Sequence, residues 1–266
     1  PIAITNFFHD GNEKITNTDL PSKIRGVIQN DLESTGLFNS IDEKAFIQEN
    51  KSLHLKPRFA DWRLINSQGL VTGDLKIEDE RLKVEFRLWD TLAEKEIEGL
   101  VLITTPDNWR RISHMIADKI YERLTGEEGY FDTRIVYVAE EGPKNNRVKK
   151  LAIMDQDGAN HKFLTSGKEL VLTPRFNPVR QEITYLSYFK NLPRVYLLNI
   201  QTGIQEVVGD FPGMTFAPRF SPDGNKIIMS LAREGNSDIY VMNLNSRVVE
   251  RLTDSPAIDT LSLIHI

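Results

Sequence analysis

The 266-residue chain contains no cysteine, which excludes disulfides, thiolate metal sites and cysteine nucleophiles. It also lacks an apolar run long enough to span a membrane. The chain has no excess of basic residues either: it contains 33 Lys and Arg against 38 Asp and Glu, which gives a net charge of −5. Nucleic-acid binding needs a clustered basic face. We therefore expect a protein that does not cross a membrane and has no nucleic-acid partner.

Candidates for catalysis are few. The five histidines are scattered, with no pair at metal-ligand spacing, and each is interpreted as a packing or solvent-facing residue. They are His9, His54, His114, His161 and His265. No Gly-x-Ser-x-Gly nucleophile elbow occurs. Residues 155–158 begin like a calcium loop but lack its later ligands, so a tight turn is the better interpretation. We expect no enzyme, no cofactor and no metal site.

The first half of the chain, residues 1–128, predicts a mixed α/β domain. Residues 2–8 are rich in β-forming side chains, and the polar residues 9–12 suit a turn. Apolar residues then recur at helical spacing from Ile24 to Leu32, and Gly36 follows where a left-handed helix end is favoured. A strand followed by a helix is therefore expected.

A three-stranded meander is predicted next, from alternating apolar and charged side chains separated by charged turns. Its strands are expected at 69–77, 82–89 and 96–105. Thr105 as cap and Pro106 suit the start of a second helix. The core-facing stripe of that helix is predicted to comprise Trp109, Ile112, Ile116, Ile120 and Leu124. Residues 126–132 are interpreted as a short link to a second domain.

The most regular feature of the sequence is a set of short motifs that repeat every 44 residues. Residues 196–199 (YLLN) return as 240–243 (YVMN), and 174–178 (PRFNP) return as 218–222 (PRFSP). Residues 164–165 (LT) return after two periods as 252–253. A period of about 40 to 45 residues built from short strands is typical of one four-stranded propeller blade. The repeated aromatic residues are interpreted as core packing.

Residues 133–266 therefore predict an incomplete β-propeller of about three blades, because a closed ring needs about four or more. The period also predicts proline at 262 and an aromatic residue at 264, where the chain has Ser262 and Ile264. We expect residues 261–266 to reflect a truncation or a shifted reading frame. The absence of a methionine before Pro1 similarly implies that upstream sequence was removed.

Four segments together resemble the TolB family. Two lie in the repeat region, at 220–227 (FSPDGNKI) and 238–244 (DIYVMNL), and two precede it, at 119–126 (KIYERLTG) and 131–138 (FDTRIVYV). The resemblance implies a periplasmic component of the Tol-Pal system of Gram-negative bacteria. It also implies an α/β amino-terminal domain followed by a six-bladed propeller, of which this chain holds about three blades.

In that family the propeller binds the peptidoglycan-associated lipoprotein Pal, and the extreme amino terminus contacts the inner-membrane protein TolA. The TolA-contacting segment would lie upstream of Pro1. The resemblance associates Ala217 and Thr260 with the Pal surface and puts Met214 where relatives often carry a histidine. It therefore implies that Met214, Ala217 and Thr260 bind the partner, in a protein that supports outer-membrane integrity, cell division and protein import.

Two other functions remain open on sequence grounds. The repeats also suit the propeller that gates a serine peptidase, with the catalytic domain lost by truncation. The amino-terminal domain could instead bind a small ligand, but it has no phosphate-binding loop. The first alternative demands a hydrolase domain further along the chain, whereas the TolB resemblance demands only more blades.

Overall fold

The computed structural model describes residues 1–9, 19–49, 56–189, 192–208, 211 and 214–260. The predicted turn at 9–12 lies almost entirely outside these residues, as do residues 261–266. The chain divides into two units, Pro1–Thr133 and Arg134–Ile266. Each unit builds its own hydrophobic core.

Among its described residues, the first unit has one four-stranded sheet and three α-helices. The strands are β1 (Ile2–Ile4), β2 (Gly69–Glu78), β3 (Arg81–Asp90) and β4 (Lys95–Thr104). The helices are α1 (Leu20–Ser34), α2 (Phe59–Leu64) and α3 (Trp109–Thr125), with 3-10 turns at Glu43–Ala45 and Pro106–Asn108. β1 pairs in parallel with β2, and β2, β3 and β4 form the predicted antiparallel meander.

The core of the first unit follows from side-chain periodicity. Alternate residues of β3, from Leu82 to Leu88, are fully buried and face the helices, while the charged residues between them are not buried. Along α3, Ile112 and Ile120 are buried as predicted, but Leu124 is 42% exposed. The predicted stripe advances four residues at each step from Ile112, so it rotates by about 40° per step around a helix of 3.6 residues per turn. Leu124 has therefore left the buried face.

The start and end of α3 differ from the predictions. Thr105 precedes a 3-10 turn and makes no capping hydrogen bond to the backbone; its hydroxyl accepts from the side-chain amide of Asn108. The segment 126–132, interpreted above as a link, packs into the first unit. Phe131 is fully buried, and the N–H groups of Phe131 and Asp132 donate to the Asp118 carboxylate over 2.7 and 3.0 Å. Burial raises the pKa of Asp118, and these two N–H groups oppose the rise.

The second unit consists of three consecutive antiparallel sheets among its described residues. The first contains β5 (Arg134–Glu141), β6 (Val148–Asp155) and β7 (Lys162–Phe163). The second contains β8 (Val171–Phe176), β9 (Glu182–Phe189), β10 (Leu192–Asn199) and β11 (Gln205–Val207). The third contains β12 (Met214–Phe220), β13 (Lys226–Arg233), β14 (Asn236–Asn243) and β15 (Val249–Arg251).

The three sheets are repeats of one blade. The hydroxyl of Thr165 accepts the N–H of Leu151 over 2.9 Å, and 88 residues later the hydroxyl of Thr253 accepts the N–H of Ile239 over 3.0 Å. Asn199 and Asn243 each cap the turn after the third strand by accepting two backbone N–H groups. The fold is therefore an α/β amino-terminal domain followed by an incomplete β-propeller, as predicted.

One blade differs from the four-stranded expectation. The first sheet has three strands, and by register they match the second, third and fourth strands of the blades that follow. The aromatic residues of the repeats do pack in the cores between strands, as predicted. They are Phe176 and Tyr196 in one cluster and Phe220 and Tyr240 in the next.

Candidate partner-binding site

Two of the predicted site residues lie at one end of the third blade. Met214 opens β12 and is in register with Ala232 of β13, which is in register with Ser237 of β14. Ser237 in turn is hydrogen-bonded to Asp259. Its hydroxyl donates to the carbonyl of Asp259 over 3.1 Å, and its carbonyl accepts the N–H of Asp259 over 2.7 Å. Thr260 follows Asp259 and is exposed. The backbones of Met214 and Thr260 therefore lie along the same edge of the blade.

The third predicted residue, Ala217, lies in an irregularity of β12. The strand pairing shifts register between Phe216 and Arg219, so Ala217 falls between two regular stretches. The same shift occurs 44 residues earlier in β8, between Leu172 and Arg175. Thr173 is the residue of β8 that corresponds to Ala217, and the φ of Thr173 is 46°. Such bulges bend a strand and redirect its side chains, and they are frequent beside functional sites. A repeated bulge thus marks the first strand of both blades.

The segment that carries Thr260 is tied to the third blade by side chains that the sequence analysis did not identify. Arg251 donates to both Asp238 and Asp254 over 2.7 Å. The amide of Asn236 donates to the carbonyl of Ser255 over 2.7 Å. Because Asp238 is nearly buried, its ion pair fixes the segment better than an exposed pair would. No local sequence pattern signals these contacts, since they depend on how the chain returns to β14.

At the opposite end of the blades, side-chain hydrogen bonds link the second blade to the third. The buried amide of Asn177 donates to the carbonyl of Gly224 over 3.1 Å, and Arg180 donates to the side chain of Asn225 over 2.5 Å. In the turn that holds Gly224, the Ser221 hydroxyl donates to Asp223, which lowers the pKa of that carboxyl to about 2. The predicted turn at 221–224 is confirmed, and Gly224 has the positive φ expected of it.

His114 has the packing role that was one of the two predicted for it, and it also has a partner that the sequence did not reveal. His114 is buried on α3, and its Nδ1 lies 2.6 Å from Oδ2 of the buried Asp31 on α1. The two residues are far apart in sequence, so only the packing of the two helices reveals the pair. Residues 155–158 form the expected tight turn, in which the N–H of Gly158 donates to the carbonyl of Asp155 over 2.9 Å. Both interpretations are confirmed, and the structure adds the contact between His114 and Asp31.

The end of the third blade that carries Met214 and Thr260 has a regular, hydrogen-bonded backbone. Strands hold its backbone in place, and the network around Arg251 holds the following segment. Such a surface loses little conformational entropy when it meets a partner. Among the described residues, no helix is both long and apolar enough to cross a membrane.

Comparison with protein families finds two matches that together cover most of the chain. The model of the TolB beta propeller domain matches residues 121–263, and the model of the TolB amino-terminal domain matches residues 1–97. The propeller model by itself matches more than half of the chain. Both halves of the chain are thus assigned to the same family in the order found in the sequence.

Individual proteins give the same result. The chain is 64% identical over 218 residues to the Tol-Pal system protein TolB of Pelagibacter ubique (strain HTCC1062), covering 82% of this chain and 49% of that protein. The crystal structure of TolB from Acinetobacter baumannii superimposes with a TM-score of 0.79 at 30% identity, covering 97% of this chain and 61% of that chain. The chain therefore spans about half the length of the curated relative that it matches.

Proposed function

The chain belongs to the TolB family, and we propose that it is a non-enzymatic part of the Tol-Pal system that binds Pal in the periplasm. Binding uses the end of the propeller formed by Met214, Ala217 and Thr260. Through this contact the protein supports outer-membrane integrity, cell division and protein import. TolA is the second partner in this proposal.

The observation that carries the proposal is the continuous row from Met214 through Ala232 and Ser237 to Asp259. Residues that the family resemblance associates with one partner are thereby neighbours on one edge, although Met214 and Thr260 are far apart in sequence. A single rigid surface of this kind suits binding of a folded protein, in which a few central anchors provide most of the affinity. The high identity to a Tol-Pal protein favours this function over a peptidase-gating propeller.

The proposal is tested by isothermal titration calorimetry of this chain with the soluble domain of Pal. Ala217→Asp places a charge on the proposed surface, and we expect about tenfold weaker binding or more, because the carboxylate must be desolvated. Gln201→Asp is the matched control, since it adds the same charge in an exposed turn at the opposite end of the strands. Equal loss of affinity in both variants, or no loss in Ala217→Asp, would contradict the proposed surface.

A further inference from the structure

Two arginines occupy the same position in consecutive blades. Arg175 and Arg219 are 44 residues apart, and each stands directly after the register shift of the first strand of its sheet. Each follows a buried proline, Pro174 or Pro218. The strands that carry them, β8 and β12, contact each other. The repeat and the bulge therefore bring two guanidinium groups to one region of the propeller.

Neither guanidinium is neutralised by an acidic residue in the part of the chain that the structure describes. Nη1 of Arg175 donates to the carbonyl of Pro174 over 3.0 Å, and Nη1 of Arg219 donates to that of Pro218 over 3.4 Å. A guanidinium has five N–H donors, so most of the donors on both side chains have no partner among the described residues. Arg175 is exposed and Arg219 is half-buried, which leaves the pair accessible from solvent.

The two positive charges influence each other. Burial lowers the pKa of the Arg219 guanidinium, and the neighbouring charge of Arg175 lowers it further. Arginine nevertheless stays protonated at neutral pH. A second positive charge near the half-buried Arg219 is unfavourable, and an anion bound there would offset that cost. The two side chains therefore offer positive charge and unused N–H donors to a negatively charged ligand.

We infer that Arg175 and Arg219 form an oxyanion site that takes a carboxylate side chain of the protein partner. Guanidinium groups bind carboxylates through paired N–H donors, which gives orientation as well as affinity. Arg219 lies two residues beyond Ala217 on the same strand, so the site is close to one residue of the proposed Pal-binding surface. The inference rests on the proposed function for the identity of the partner, but the anion site can be measured without it.

The site itself is tested by NMR of this chain with arginine side chains labelled with ¹⁵N. The Nε–Hε signals of Arg175 and Arg219 are assigned from the single variants Arg175→Gln and Arg219→Gln. Titration with tetraglutamate should shift both signals, while the signal of Arg81, an exposed arginine at the start of β3, should shift little. Signals that do not move, or that move no more than that of Arg81, would overturn the inference. Inorganic phosphate is titrated in parallel.

The partner is tested by measuring the affinity for the soluble domain of Pal. The double variant Arg175→Gln/Arg219→Gln should bind at least about tenfold more weakly and with a smaller dependence on salt, whereas Arg81→Gln should bind like the unmodified chain. The variant Arg175→Lys/Arg219→Lys keeps both charges but loses the paired donors, so it should fall between them. Circular dichroism and thermal melting confirm that each variant is folded.

The outcomes separate the two proposals. If Pal binds the double glutamine variant as well as the unmodified chain, the inference fails and the proposed function stands. If Pal binds neither protein, the proposed function fails, and the tetraglutamate titration alone decides whether the anion site exists. A shift with phosphate but none with tetraglutamate would assign the site to a small free anion and overturn the role of a partner carboxylate.

Discussion

Asn177 in one blade donates a hydrogen bond from Nδ2 to the backbone carbonyl of Gly224 in the next blade, over 3.1 Å. Its Oδ1 accepts the N–H groups of Val179 and Arg180 in its own turn. One buried amide therefore shapes a turn and links two blades, so the stability of the second unit depends on it.

Asn177→Ala should be among the more destabilising single changes in the second unit. It leaves the Gly224 carbonyl and two backbone N–H groups without their partner, and we expect a loss of about 2 to 3 kcal/mol in the free energy of unfolding. Asn199→Ala is the control, because Asn199 caps a turn within its own blade only. It should cost about 1 kcal/mol. Urea unfolding followed by circular dichroism measures both values, and equal losses would mean that the link between blades contributes nothing.

Gly224 is the acceptor residue of this hydrogen bond between blades. A Cβ on Gly224 would lie 2.2 Å from Oδ1 of Asn177, whereas a Cβ on Gly203 would meet nothing within 4 Å. Both glycines have positive φ, 68° and 72°, so both alanine variants carry the same backbone strain of about 1 kcal/mol. Gly224→Ala should therefore lose about 1 to 3 kcal/mol more than Gly203→Ala, through displacement of Asn177. Combining Gly224→Ala with Asn177→Ala should remove that excess in a double-mutant cycle.

The buried pair of His114 and Asp31 should support the packing of α1 on α3. His114→Ala removes a buried ring and its 2.6 Å contact with the carboxylate, and we expect a loss of about 3 kcal/mol or more in the free energy of unfolding. Lys119→Ala on the same helix removes an exposed ion pair with Glu122 and should change little. Thermal unfolding of both variants gives the comparison. A stable His114→Ala variant would show that the pair is dispensable.

The capping of Asp223 predicts a dependence of stability on pH. The Ser221 hydroxyl and the N–H and amide of Asn225 lower the pKa of Asp223 to about 2 in the folded chain, below the value of an unfolded aspartate near 4. The ionised carboxylate therefore stabilises the fold above about pH 4, and this contribution is lost as the pH falls toward 2.

The Asp223→Asn variant tests this dependence. It should unfold at a lower urea concentration than the unmodified chain at pH 7, and the difference should shrink as the pH is lowered from 4 to 2. A difference that stays constant with pH would contradict the assigned pKa.

The sequence predicts most of the fold because the repeat and the side-chain alternation are local patterns. The 44-residue spacing identifies the blades, and alternation along β3 identifies the buried face of the sheet. Leu124 was misplaced because the predicted stripe ignored the rotation of a four-residue step. Among the described residues, the first sheet has no counterpart of the first strand of the other blades, and this was not predicted because the repeat pattern does not count strands.

The candidate site was less accessible to prediction. Ala217 was predicted from the family resemblance alone, and no local sequence pattern predicts the bulge there. The pair of His114 and Asp31 depends on how two helices pack, and the pair of Arg175 and Arg219 depends on how two blades pack. In each case the two residues are visible in the sequence, but their proximity in the folded chain is not.

The parallel pairing of β1 with β2 has a consequence for synthesis of the protein. Thr5 donates its N–H to the carbonyl of Val71, a residue 66 positions further along the chain. On the ribosome, the apolar residues Ile2, Ala3 and Ile4 emerge long before the strand that will cover them has been translated. This short stretch therefore exposes apolar surface until β2 has been synthesised and can pair with it.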